Sequence, residues 1–215
     1  MTEFDDIRWR DTQRMESWAG EIRLNLIRLI AIMIFYGRHL VEAMASPPGS
    51  AVRGVYHVQV TWICLVWAGT AMVLHARLKR RHMTSFMKYL ATGIDAGMIT
   101  ILCAVGSNPQ TPLIFLYFPL IVSAPLRLSI RLVYAATAAA MAGYLIVLAH
   151  YAWYIVGFKK YYSTPGLRIP RSQEIFVLLA MLTTGVVAGQ IVRQMRRISA
   201  GYPVVAEESA NVLSI

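Results

Sequence analysis

Apolar positions along this chain fall into six runs, separated by short links that carry prolines, glycines or clustered charges. Most approach the ~20 residues that a helix needs to cross a bilayer, although the first carries Arg23, Asn25 and Arg28 at its entry and becomes strongly apolar only from Leu29. The first extends from about Ile22 to Met44, and Ser46-Pro47-Pro48-Gly49 closes it, since paired prolines cannot continue a helix. The second, Tyr56 to Leu78, enters the basic cluster Arg77-Leu78-Lys79-Arg80-Arg81, and the third, Ser85 to Gly106, stops at Ser107-Asn108-Pro109-Gln110. The fourth, Thr111 to Leu126, is short and holds Pro112, Pro119 and Pro125, so a kinked, tilted or partly re-entrant course is expected. The fifth, Leu132 to Val156, is rich in alanine. The sixth, Glu174 to Val192, leaves as Arg193-Gln194-Met195-Arg196-Arg197.

This pattern predicts an all-α integral membrane bundle of about six transmembrane helices. Residues 1–21 form an N-terminal segment, 22–197 the membrane domain and 198–215 a polar tail. In the N-terminal segment Ile7, Met15 and Trp18 share a helical face amid Arg8, Arg10, Arg14 and several acids, which fits a short interfacial helix or a disordered tail. Its polar start has no short apolar core with a small-residue cleavage site, so no cleavable leader is expected and the first span serves as the insertion signal.

Composition agrees: 57% of residues are apolar and only 15% are charged, where soluble domains carry about a quarter charged. A net charge of +10 raises the question of nucleic acid, but the basic residues sit at the ends of apolar runs, not in a stripe with interleaved aromatics. No nucleic-acid partner is expected; the charge sets orientation instead. With the N-terminus inside, fifteen Lys and Arg residues flank the inner face and six the outer, which predicts both termini in the cytoplasm. Cys64 and Cys103 lie within apolar runs and read as buried free thiols. There is no nucleophile elbow, phosphate-binding glycine loop or zinc signature, so no enzymatic activity is expected.

Ionisable residues at membrane depth are costly and mark candidate sites. Asp95, midway along the third span in Thr92-Gly-Ile-Asp-Ala-Gly97, needs a partner, either Arg28 on the first span or a neighbouring hydroxyl. It serves either to fix helix register or to relay protons or signals. A second group shares the outer layer: Tyr36, Arg38, His39 and Glu42 close the first span, His57 opens the second, His150 and Tyr154 end the fifth and Glu174 opens the sixth. These are candidate ligand-binding or sensing residues, though interfacial His and Tyr are also ordinary headgroup-level residues. No metal is expected; His39 and His57 are the weak candidates for one, and haem b or a quinone is the alternative cofactor. His75 and His82 flank the basic inner link.

Small residues recur at four-residue spacing as Ala135, Ala139 and Gly143 on the fifth span and as Gly185-Val-Val-Ala-Gly189 on the sixth. Such faces pack helices closely in lipid, inside one bundle or across a homodimer.

From Lys88 to Leu145 the order of features resembles the multi-helix membrane input region of bacterial sensor histidine kinases and membrane-anchored nucleotide cyclases. The residues that carry the likeness are Lys88-Tyr-Leu, Asp95, Thr100, Gly106-Ser-Asn-Pro-Gln-Thr-Pro112, Leu116-Tyr117-Phe118, Ala124-Pro-Leu-Arg127, Ala135-Ala-Thr137 and Gly143-Tyr144-Leu145. Ile169-Pro-Arg171-Ser-Gln, Thr184-Gly185-Val-Val-Ala-Gly189-Gln190 and Arg193 extend it to about two thirds of the chain. The resemblance implies a multi-pass protein of the bacterial cytoplasmic membrane, sensing a membrane or extracytoplasmic condition and relaying it through its last helix at Gly185, Gly189, Gln190 and Arg193. The eighteen residues after Arg197 are too few for a phosphoacceptor or ATP-binding domain, so phosphotransfer is not implied and the output belongs to a separate cytoplasmic protein. The expectation is therefore a non-catalytic sensory or regulatory module, with a structural or assembly subunit of a larger membrane complex as the alternative.

Overall fold

A computed structural model describes residues 3–47, 54–79, 85–106, 111–157, 161 and 170–212; of 3–19, 85 and 198–212 it describes the backbone alone. His82, Lys159, Lys160 and Arg168 lie outside the described residues. Every element among those described is helical. The helices are α1 (Glu3–Ala45), α2 (Val55–Lys79), α3 (Ser85–Val105), α4 (Tyr117–Ser123), α5 (Ile130–His150) and α6 (Arg171–Val212). Among the described residues, five stretches are long and apolar enough to cross a bilayer: Gly20–Ala45, Val55–Lys79, Phe86–Val105, Ile130–Ile155 and Arg171–Arg197. The chain is thus compatible with a multi-pass membrane protein.

Much of its outer surface is apolar, while Glu21, Asn25, His39, Thr92, Asp95, Arg127 and Thr137 are buried inside. Met33, Ile34, Trp62, Phe86, Phe115 and Phe176 are each more than 60% exposed, as side chains bathed in lipid should be. The core lies on helical faces instead. Along α5, Val133, Ala136, Ala140, Tyr144 and Val147 are buried at spacings of three and four, and they face α3 and α6.

The fourth apolar run is the exception in length, and its backbone is irregular. It consists of a 3₁₀ turn at Pro112–Leu116, then α4, then a second 3₁₀ turn at Ala124–Arg127. Pro112 and Pro125 open the two 3₁₀ turns, where a missing N–H leaves no bond unmade. Since 3₁₀ turns rise ~2.0 Å per residue against 1.5 Å for an α-helix, the run reaches about 28 Å where a pure α-helix of that length reaches about 24 Å. It lies alongside α3 over that helix's whole length, with Leu113 against Gly106 at one end and Arg127 bonded to Lys88 and Thr92 at the other. Contacts with α3, α5, α6 and α1 surround it. One face of the run, with Ile114, Tyr117, Leu120, Ile121 and Arg127, is thus packed inside the bundle, while Phe115, Val122 and Leu126 are exposed.

Leu128 turns the corner into α5 with φ 51, and the Arg196 guanidinium clamps its carbonyl from α6 at 2.6 and 3.2 Å. Gly20 at the entry to the first apolar stretch touches Leu126 nearby, so α1 enters and α6 exits at the same end of the bundle. Beyond that end α1 begins as early as Glu3, and α6 continues to Val212.

Candidate functional site

At that shared end, polar and charged side chains converge inside the bundle. α1 supplies Glu21, Asn25 and Arg28, and α3 supplies Lys88, Thr92 and Asp95. Each triplet has the i, i+4, i+7 spacing that keeps three side chains on one helical face. The charge order is inverted between them. Glu21 meets Lys88 at 4.0 Å and Arg28 meets Asp95 at 2.5 Å, both pairs at a sequence separation of 67. A constant offset of this kind is the register of two parallel helices, and it matches acid to base at both rungs.

The remaining members close the network. Arg127, at the end of the fourth run, reaches Glu21 at 3.1 Å and donates from Nη1 to the Thr92 hydroxyl at 2.6 Å and the Lys88 carbonyl at 2.8 Å. Its Nε stands close to Glu21 Oε1 without aiming the N–H at it, so this pair is a charge contact and not a directed hydrogen bond. The Trp67 indole donates to Asp95 Oδ1 at 2.9 Å from α2. Asn25 donates to the Ala71 carbonyl at 3.0 Å and accepts from Arg28 at 2.8 Å. Glu21, Asn25, Asp95 and Arg127 are all buried. Three cations thus share two carboxylates across three chain segments, with α2 adding the Trp67 indole, an arrangement that survives in a low dielectric only if its members stay paired.

A cavity of about 110 Å³ adjoins the network; its wall is mainly apolar, with Arg28, Trp67, Thr92, Asp95, Ser123 and Arg127 as its polar members. Arg28 Nε is buried without a protein partner among the described residues.

The expected Arg28–Asp95 pair is therefore present. Glu21, Asn25, Trp67, Lys88, Thr92 and Arg127 had not been assigned to a site from the sequence. Trp67→Phe removes one donor to Asp95 and shrinks a buried ring, and is expected to lower stability by about 1–3 kcal/mol, the lost interhelical hydrogen bond plus the small cavity left behind. Unfolding in a graded anionic-detergent series measures it.

The outer group separates into parts. His39 Nε2 and His57 Nδ1 lie 3.1 Å apart with rings stacked at 5.2 Å, while Tyr36 bonds Thr61 at 3.2 Å and Tyr56 packs edge-on to His39. Elsewhere, His150 stacks on Tyr154 at the start of a π turn, and Glu174 accepts from Tyr161 at 3.4 Å. Glu42 and Arg38 are exposed. Two imidazoles on opposite sides of one metal ion stand ~4 Å apart, given ~2 Å bonds. The observed stacked pair at 3.1 Å lacks that geometry, so His39 and His57 do not form an axial haem site as placed. Among the described residues, no group of three or more His, Cys, Asp or Glu is arranged to hold a metal ion. Cys64 and Cys103 are free and buried.

Of the four relay candidates, Gly185, Gly189 and Arg193 of α6 form one stripe against α5. Gly185 lies against Thr137, Gly189 against Tyr134, and Arg193 donates to the Tyr134 hydroxyl at 3.4 Å; Gln190 is exposed. Gly143 of α5 receives Thr100 and Tyr117, themselves hydrogen-bonded at 2.8 Å. Both small-residue faces are thus occupied within one chain. Comparison with family models, curated proteins and solved structures finds no match to this chain.

Proposed function

We propose that this chain is a non-catalytic sensory or regulatory module of a bacterial cytoplasmic membrane, crossing it six times with both termini inside. In this reading it relays a membrane or extracytoplasmic condition to a separate cytoplasmic protein. The observation that carries the reading is the buried ion network at the end of the bundle from which α1 and α6 project. Charges at membrane depth are retained for function more often than for stability, because an apolar replacement is commonly neutral or better.

The network also has the makings of a two-state element. Glu21 is shared by Arg127 and Lys88, and Asp95 by Arg28 and Trp67, so gain or loss of one proton or one ligand forces the others to re-pair. Re-pairing shifts the inner end of the fourth run. That end is tied to α6 through Leu128 and Arg196 and abuts α1 at Gly20. The continuous helices leaving this end carry the shift to a docked partner. The run of 112–127 alongside α3 supports the sixth crossing, and the likeness to sensor-kinase input regions supports the class.

Two measurements test it. A single cysteine placed in the 80–84 link, with Cys64 and Cys103 replaced by Ala, is expected to resist an impermeant thiol reagent in intact cells and to react in inverted vesicles. Labelling from outside would reverse the topology. A photo-crosslinker at Ser209 in native membranes is expected to trap a protein with a cytoplasmic signalling domain, whose output changes in Asp95→Asn at unchanged protein level. Trapping core subunits of a membrane complex, or unchanged output, rejects the sensory role.

A further inference from the structure

A cleft of about 740 Å³ opens on the flank of the bundle, between the start of the first span, the end of the fourth run and the inner half of α6. Its walls are mainly apolar, with Val122, Leu126, Val187 and Ile191 all 45–59% exposed toward it or the surrounding lipid. The hydroxyls of Thr183 and Thr184 at its base donate to the Ala180 carbonyl, so the wall presents hydrocarbon where it has polar residues too. The rim is cationic. Arg23 lines the cleft and is exposed, and Arg196 is held at the same corner by its bonds to the carbonyl of Leu128, another wall residue.

An apolar cleft open to a bilayer fills with acyl chain, as no water competes for it. Two guanidinium groups at its mouth, on the arginine-rich side, select a headgroup with uncompensated negative charge. The volume lies within the 300–1,000 Å³ of ordinary ligand sites. We infer that this cleft is a specific site for one anionic phospholipid, an acyl chain between α4 and α6 and its phosphate at Arg23 and Arg196. The lipid bridges α1, the fourth run and α6, the segments whose inner ends leave the bundle together. This inference is independent of the sensory reading, since a site of this kind suits a structural subunit equally.

The full chain, delipidated in neutral detergent and mixed with equal phosphatidylglycerol and phosphatidylcholine of identical chains, is assayed by native mass spectrometry. One tightly retained lipid per chain is expected, with phosphatidylglycerol favoured about tenfold. Arg23→Gln, an exposed position, is expected to cut the preference to about threefold without changing the melting temperature. Val187→Trp fills the cleft and is expected to lower retention of both lipids; if that variant fails to fold, Val122→Trp fills it from the opposite wall. Equal retention of the two lipids, or retention unchanged when the cleft is filled, overturns the site. Glycerol 1-phosphate binding as tightly as the lipid also overturns it, since that reduces the rim to a plain anion site.

Discussion

Arg28→Met is expected to lower the unfolding free energy by about 3–5 kcal/mol, although the new side chain is more compatible with lipid than the old. The loss comes from Asp95. Its Oδ2 faces Arg28 at 2.5 Å and its Oδ1 has only the Trp67 indole at 2.9 Å, so truncating the arginine leaves a buried carboxylate with one neutral donor. Asn25 loses the donor to its Oδ1 at the same time. The double variant Arg28→Met/Asp95→Leu removes both charges and is expected to regain most of the loss, because the net worth of the intact pair is small against the cost of breaking it. Reversible unfolding in mixed detergent micelles, run as a double-mutant cycle, reads the coupling directly. Additive losses would mean that the two groups act separately and that the network is no unit.

That pair was legible in the sequence because charge within an apolar run stands out against its background. Most of the network was not. Glu21, Lys88 and Arg127 lie at the ends of their runs, where the ordinary reading of a charged residue is a headgroup-level anchor or an orientation signal. Packing decides otherwise: Glu21 is 2% exposed and Arg127 8%. A signal was nonetheless present. Glu21, Asn25 and Arg28 repeat the spacing of Lys88, Thr92 and Asp95 with opposite charge order, and two spans separated by one intervening span run parallel. Aligning the triplets gives the register without a structure. Trp67 had no such signature, since a tryptophan in an apolar helix reads as lipid-facing until its neighbour is known.

The fourth run shows a different limit. Its shortness and its three prolines argue for a kinked, tilted or partly re-entrant course, because ~20 residues is a rule for α-helices. The prolines that open its two 3₁₀ turns lengthen the run relative to an α-helix of the same residue count, which hydropathy and residue count alone do not convey. The outer histidines show the converse. Topology grouped His39, His57, His150 and Glu174 in one layer, yet a layer is a depth and not a contact, and only His39 and His57 share a hydrogen bond. Lateral neighbours depend on the order of helices around the bundle, which hydropathy does not encode.

The second large effect is expected at Gly185, where the smallest substitution is enough. A Cβ built there lies 2.7 Å from Thr137 Cγ2 and 3.0 Å from Thr137 Cβ, with the hydroxyl nearer still. Thr137 cannot turn aside. It is β-branched, buried on α5, and its hydroxyl donates to the Val133 carbonyl at 2.9 Å, so the α5–α6 contact itself must open. Gly185→Ala is therefore expected to cost about 1–3 kcal/mol, despite alanine's better helix propensity, and Gly185→Leu to separate the two helices. Thr137→Ala removes two of the obstructing atoms and is expected to recover part of the loss in the double variant. The control is Gly69→Ala, with nothing within 4 Å of the added carbon, where propensity alone acts and stability is expected to rise slightly. If Gly185→Ala matches Gly69→Ala in the same detergent unfolding series, α6 does not approach α5 this closely. The clamp from Arg196 to Leu128 would then lose the close-packed stripe above it that holds the two helices in register.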